Sequence, residues 1–292
     1  MKLSCAPGHD MGSRRAFLVG LAALLTLCAC EWNLWGMLTR PTVEDRVRED
    51  LSGEVQAPGP VAVNPDSFRF AVFGDPQIGH DYQSSLGRFK QEVADRGIDF
   101  FCVLGDLTND ATPDEVDSIK LQLDRVGIPY YATIGNHDLF QADGWRRFKE
   151  NYGPSCHSVV IADRFKLIFL DTADGTIGPT QFDWLEGELR DSGLIKIALT
   201  HFPVFDGEKP IMWRLASDAE RVKVQSLLER YGAYTWCAGH IHGLRHTQVD
   251  SVHYFTCDGM APGKLDYGNP GYLLFTFARD SLSWAFVELD WQ

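Results

Sequence analysis

Five apolar runs in this chain each end in a small cluster of Asp, Asn or His, and this repetition constrains the fold more than any other feature. Phe68–Phe73 runs into Gly74-Asp75, and Phe100–Leu104 into Gly105-Asp106. Tyr130–Ile134 runs into Gly135-Asn136-His137-Asp138, Leu194–Leu199 into Thr200-His201, and Tyr234–Cys237 into Gly239-His240-Ile241-His242. Short continuous apolar runs bounded by turn residues read as buried strands. Between them lie stretches with helical spacing. Ser84–Arg96 places Leu86, Phe89 and Val93 on one face, and Gln181–Arg190 does the same with Phe182, Leu185 and Leu189. Ala219–Tyr231 reads as a further helix. Pro113–Val126 has Thr112 as a cap, Pro113 in the first turn and acids behind it, the ordinary signature of a helix start. Further strands are expected at Cys156–Ile161, Phe165–Leu170, Val252–Thr256, Tyr272–Phe277 and Leu282–Glu288. Strand–helix alternation followed by a strand-rich end predicts an α/β fold of stacked sheets flanked by helices.

The ends of the strands are where open α/β sheets place their ligands. Each tip alone is a weak signal, because Gly-Asp after a strand is a common turn. Taken together, the tips bring Asp75, Asp106, Asn136, His201, His240 and His242 to candidate metal-ligating positions. His240 and His242 lie two apart, which puts both imidazoles on one side of an extended segment. A mixed oxygen and nitrogen donor set suits Mn, Fe or Zn rather than a thiolate site.

In order and content, Gly74-Asp75-Pro76-Gln77, Gly105-Asp106-Leu107-Thr108-Asn109, Gly135-Asn136-His137-Asp138, His201-Phe202-Pro203 and Gly239-His240-Ile241-His242 resemble the five blocks of the calcineurin-like metallophosphoesterases. The resemblance spans roughly Ser67 to Gln292. It implies a four-layer αββα sandwich of two mixed β-sheets. It also implies two divalent or trivalent metal ions (Mn, Fe or Zn) held at the loop ends between the sheets. By position, Asp106 would bridge the two metals. Asp75 and His242 would complete one site, and Asn136, His201 and His240 the other. The implied activity is phosphoester hydrolysis. A metal-bound hydroxide would attack phosphorus in line, and His137 would assist the leaving oxygen.

Two positions depart from the commoner pattern. Many members have Asp-x-His in the first block where this chain has Asp75-Pro76-Gln77, so Gln77 offers a neutral carbonyl oxygen in place of an imidazole; His80, three residues on, is a possible substitute. Members with an Asp three residues after the bridging carboxylate use it to orient the catalytic histidine. Here that position is Asn109, whose amide can orient an imidazole without adding charge. Both departures favour a rival reading, in which the chain is a non-catalytic scaffold that kept the fold.

The N-terminus reads as an address. Ser13-Arg14-Arg15-Ala16-Phe17-Leu18 resembles a twin-arginine export motif, with Met11 as a possible true start. The apolar run from Ala16 to Ala29 is shorter than the roughly 18–20 residues a spanning helix needs. Leu27-Cys28-Ala29-Cys30 resembles a lipobox, with Cys30 the lipidated residue. The expected organisation is a signal peptide over 1–30, a tether over 31–66 and a phosphoesterase domain over 67–292. Within the tether, Val43, Val47 and Leu51 predict a short helix, and Ala57-Pro58-Gly59-Pro60 breaks regular structure. The expected location is the outer face of a bacterial membrane, periplasmic or otherwise extracytoplasmic. Trp32 and Trp35 near the anchor leave room for a lipid-headgroup phosphodiesterase.

Charge bears on the partner. With 27 Lys+Arg against 40 Asp+Glu the net charge is −13, which disfavours binding to a nucleic-acid backbone. A phosphoester substrate would instead meet the metals. Cys102, Cys156, Cys237 and Cys257 sit in or beside apolar strands and read as buried thiols. Asp171 also ends a strand but lies outside the five blocks, where a turn role is expected.

Overall fold

A computed structural model describes residues 40–79, 85–191, 193–205, 213–257, 259–261 and 270–290. The export motif, Cys30, Trp32, Trp35 and His80 lie outside the described residues.

The elements run α1 (Val43–Leu51), β1 (Ser67–Phe73), α2 (Leu86–Arg96), β2 (Phe100–Leu104), α3 (Pro113–Val126), β3 (Tyr130–Thr133), a single helical turn at His137–Leu139, and α4 (Gly144–Tyr152). They continue with β4 (His157–Ile161), β5 (Phe165–Phe169), α5 (Pro179–Leu189), β6 (Ile195–Thr200), α6 (Asp218–Arg230), β7 (Thr235–Ala238), β8 (Arg245–Val249), β9 (Val252–Thr256), β10 (Gly271–Ala278) and β11 (Ser281–Glu288). Two mixed sheets result, with strand orders β11-β10-β1-β2-β3 and β4-β5-β6-β7-β9-β8. β1, β2 and β3 are mutually parallel, as are β5, β6, β7 and β9, while β4, β8, β10 and β11 pair antiparallel at the margins.

The period-two alternation of side chains divides the core into layers. Phe68, Phe70 and Val72 on β1 and Phe100, Cys102 and Leu104 on β2 meet Phe165, Leu167 and Phe169 of β5 and Ile197 and Leu199 of β6 between the sheets. The opposite faces of β1 and β2, with Phe73, Phe101 and Val103, pack against Phe89 of α2, Leu123 of α3 and Phe148 of α4. Ile168, Ala198 and Trp236 on the outer face of the second sheet pack against Leu185 of α5 and Val224 and Leu228 of α6. The chain is thus a helix–sheet–sheet–helix sandwich. All four expected cysteines are buried and unbridged.

Two elements escape the sequence pattern. α4 has no counterpart among the expected elements; Trp145, Phe148 and Tyr152 bury one side of it. β8, Arg-His-Thr-Gln-Val, has no apolar alternation because it is an edge strand with little buried surface. In the stretch expected to be a tether, α1 forms behind a capping box, in which Thr42 and Asp45 each satisfy the other's main-chain N–H. Val43 and Val47 of α1 bury against Cys156, so this helix is packed onto the body of the protein.

Candidate metal centre and catalytic site

All seven candidate ligands gather at the C-terminal ends of the parallel strands. Asp75 and Gln77 follow β1, Asp106 follows β2, Asn136 follows β3, His201 follows β6, and His240 and His242 follow β7. The turns that carry them are strained. Asp75, Gln77, Asp106, His240 and His242 all have positive φ, between 37° and 69°. Such conformations cost of order 1–3 kcal/mol each outside glycine and collect where function requires them. Glycines let the turns approach one another. A Cβ on Gly135 would stand 2.1 Å from the Asp106 nitrogen, and one on Gly239 would stand 2.7 Å from Asp75 Oδ2.

Asp106 is the hub. Its Oδ1 accepts the His137 main-chain N–H at 2.8 Å and stands 3.3 Å from His201 Nε2. Its Oδ2 accepts Gln77 Nε2 at 3.2 Å. Burial alone would raise the Asp106 carboxyl, but His201, His137 and His240 around it hold it well below the ordinary carboxylate range. His201 is fully buried, and its Nδ1 donates to the Leu104 carbonyl at 2.7 Å. That bond turns Nε2 toward the centre, 3.0 Å from Asn136 Oδ1 and 3.1 Å from His240 Nδ1. Burial by itself would depress His201, yet the Asp106 carboxylate raises it to about 9.

The second group is built around Asp75, which is fully buried and accepts the His240 main-chain N–H at 2.9 Å. His242 Nε2 stands 3.5 Å from Asp75 Oδ1. Gln77 Oε1 is buried and has no hydrogen-bond partner among the described residues. An orphaned buried carbonyl is costly unless something fills its place.

These residues fit a cation. One atom each from Asp106, His201 and His240 lies within 4.8 Å of the others, close enough for a single metal ion. Asp106 Oδ1, Asn136 Oδ1 and His201 Nε2 crowd together, and the buried site already draws positive charge onto His201. A bound metal would supply that charge without the proton.

His137 sits beside this cluster. Its Nδ1 donates to the main-chain carbonyl of Asn109 at 2.7 Å, which leaves Nε2 facing the centre, 3.9 Å from Asp106 Oδ2. Asn109 was expected to orient His137 through its side-chain amide. That amide instead donates to Asp110, and the main-chain carbonyl holds the ring. Asp138, the last residue of the third block, ties two blocks together. Its carboxylate accepts Thr108 N and Oγ1 at 3.0 Å and Gly135 N at 2.9 Å. Burial, then the neighbouring Asp106, raises it to about 6. Arg146 and Arg147 pair with Asp143 and Glu150 along α4.

Comparison with known proteins bears on this geometry. A profile described as calcineurin-like phosphoesterase matches residues 68–244, more than half of the chain. The chain belongs to the calcineurin-like phosphoesterase family. A probable cyclic nucleotide phosphodiesterase from Fibrobacter succinogenes is 25% identical over 200 residues, covering 66% of this chain and 75% of that protein. Another from a Synechococcus species is 30% identical over 131 residues, covering 42% of this chain and 48% of that one. Among solved structures, a purple acid phosphatase from yellow lupin superposes with a TM-score of 0.63 at 17% identity, covering 80% of this chain and 53% of that one. That last likeness concerns the fold alone. Membership of the family and the clustered ligands make this phosphoesterase a metal-dependent enzyme.

Proposed function

We propose that this phosphoesterase hydrolyses phosphodiesters, with cyclic nucleotides as its substrate class, at a two-metal centre. The convergence of Asp106, His201 and His240 with His137 beside them carries the proposal; the names of the two sequence relatives support the substrate class. Asp106 would bridge the metals, with Asp75, Gln77 and His242 on one side and Asn136, His201 and His240 on the other. When bound, a pair of Mn, Fe or Zn ions supplies Lewis-acid charge for the phosphoryl oxygens and lowers the pKa of a water.

The protein's own groups do the rest. His201 and His240 are fixed by Leu104 and by Asp75 before any ligand arrives. Gln77 is held by its Nε2 on Asp106, which leaves Oε1 to reach a metal. His137 presents Nε2 to the centre and can give a proton to the departing alkoxide. Hydrolysis breaks one P–O ester bond, adds water across it, and places that proton on the leaving oxygen.

The test is turnover by purified protein with Mn present, on 3′,5′-cyclic AMP, bis(p-nitrophenyl) phosphate and p-nitrophenyl phosphate. Hydrolysis of the cyclic nucleotide and the diester ahead of the monoester is expected. Folded protein that turns over no phosphoester with any divalent metal would reject the proposal in favour of a scaffold.

We further propose that the protein is exported through the twin-arginine route and tethered by lipid on Cys30. Ser13-Arg14-Arg15-Ala16-Phe17-Leu18 and Leu27-Cys28-Ala29-Cys30 support this reading. Cys30→Ala should move the protein from the membrane fraction to the soluble extracytoplasmic fraction. An unchanged distribution would remove the anchor.

A further inference from the structure

α1 lies upstream of the family-matched residues, yet it carries a fully buried charge. Arg46 has no exposed side-chain surface. Its Nε and Nη2 donate to the two oxygens of Asp171 at 2.7 and 2.9 Å, and Nη1 donates to the Pro41 carbonyl at 2.7 Å. Asp174 completes the ring of charge, 3.3 Å from Nη1. At the other end of the helix, Asp50 accepts the main-chain N–H groups of Ser155 and Cys156 and the Ser155 hydroxyl. Ser155 Oγ also stands 3.0 Å from Asp171 Oδ2, so both ends of α1 converge on that one carboxylate. A buried ion pair is poorly explained by stability alone, because removing both charges from water offsets most of their attraction. What such a pair does well is fix geometry.

The geometry it fixes leads to the metal centre. Gln181 of α5 holds the Asp171 backbone from the other side, accepting its N–H at 2.8 Å and donating to its carbonyl at 2.7 Å. The next residue is Thr172, which is fully buried. Its Oγ1 meets Thr200 Oγ1 at 2.7 Å and accepts the Phe202 main-chain N–H at 2.8 Å. Thr200 and Phe202 are the two chain neighbours of His201. The Phe202 ring in turn stacks on His240, with centroids 3.9 Å apart and planes 30° apart. An unbroken run of buried contacts therefore joins α1 to two imidazoles of the centre.

We propose that α1 is a positioning element of this enzyme. Arg46 and Asp171 fix Thr172; Thr172 fixes the Thr200–Phe202 segment; and that segment aims His201 and His240. The inference rests on the reading that these two histidines hold metal. Outer partners of metal ligands typically contribute about 10–100-fold in metal affinity or activity.

The test uses the full chain, at a temperature where circular dichroism shows every variant folded. Mn affinity is measured by calorimetry on metal-stripped protein, and kcat and KM are measured on bis(p-nitrophenyl) phosphate. Thr172→Val removes the acceptor of the Phe202 N–H with little change in volume. It should weaken Mn binding about tenfold and lower kcat with KM nearly unchanged, while Thr172→Ser should restore both. Arg46→Lys keeps the charge but loses the two-pronged grip, and should shift Mn affinity in the same direction. If Arg46→Lys does not fold, Thr172→Val decides alone. Wild-type Mn affinity and kcat in Thr172→Val, with only the melting temperature lowered, would overturn the inference and make α1 merely structural. A wild-type protein that binds none of Mn, Fe and Zn would overturn the metal reading itself, a result distinct from the first.

Discussion

His137 and Asn109 are joined through the main chain: the imidazole Nδ1 donates to the Asn109 carbonyl at 2.7 Å. The orientation of the candidate proton donor therefore does not depend on what side chain stands at 109. Asn109→Ala should keep kcat on a diester within about threefold of wild type, whereas His137→Gln should lower it about 100-fold or more. Steady-state kinetics of the two variants side by side measures this. A collapse of activity in Asn109→Ala would show that the side chain matters.

Asp106 occupies the middle of the centre, with His201, His137 and Gln77 against its two oxygens. Asp106→Asn keeps the shape and removes the charge. Bound metal per chain should fall, and activity with it by about 100-fold or more, since even outer partners of ligands contribute 10–100-fold. Elemental analysis alongside the assay checks both halves.

Acid stability should depend on a buried histidine that is not among the candidate ligands. His157 is buried, stacks on Phe169 at 4.5 Å, and gives its Nδ1 proton to the Pro154 carbonyl. Burial depresses it from its ordinary 6.5 to about 4. The folded state thus binds this proton less readily than the unfolded chain does. The stability it contributes is complete above about pH 6.5 and is lost as the pH falls toward 4, by about 3 kcal/mol in all. His157→Phe keeps the stack and removes the titration. Urea unfolding between pH 4 and 7 should show a flatter dependence in the variant.

The start of α3 offers a control that touches no ligand. Thr112 accepts the Glu115 N–H while Glu115 accepts the Thr112 N–H. Thr112→Ala should lower stability by about 1 kcal/mol and leave kcat unchanged. Thermal unfolding and the diester assay separate the two effects.

The ligand residues could be read in the sequence because each sits where a run of apolar residues stops. Phe70–Phe73 and Phe100–Leu104 are buried on both faces, so Asp75 and Asp106 stand out beyond their ends. The same logic failed for β8, an edge strand with no buried face to mark it, and for α4, whose apolar positions lie in a short stretch among charges. Asp171 shows the limit most clearly. It follows β5 much as the ligands follow their strands, and the expected turn forms there, with its Oδ1 accepting the Ala173 N–H at 3.1 Å. Its partner is Arg46, 125 residues earlier in the chain, and no local pattern records that pairing.

By itself, the sequence determined the buried strands, the order of the five blocks and the residue types that can hold metal, because burial and ligand chemistry are properties of short segments. The tertiary structure decided what those residues touch. It gave the orientation of His137 to the carbonyl of Asn109 and left Gln77 Oε1 without a protein partner among the described residues. It also packed α1 against the strand ends through Arg46 and Asp171. Each of these depends on main-chain atoms or side chains brought together from distant parts of the chain, so only the packing of the two sheets and their helices could fix it.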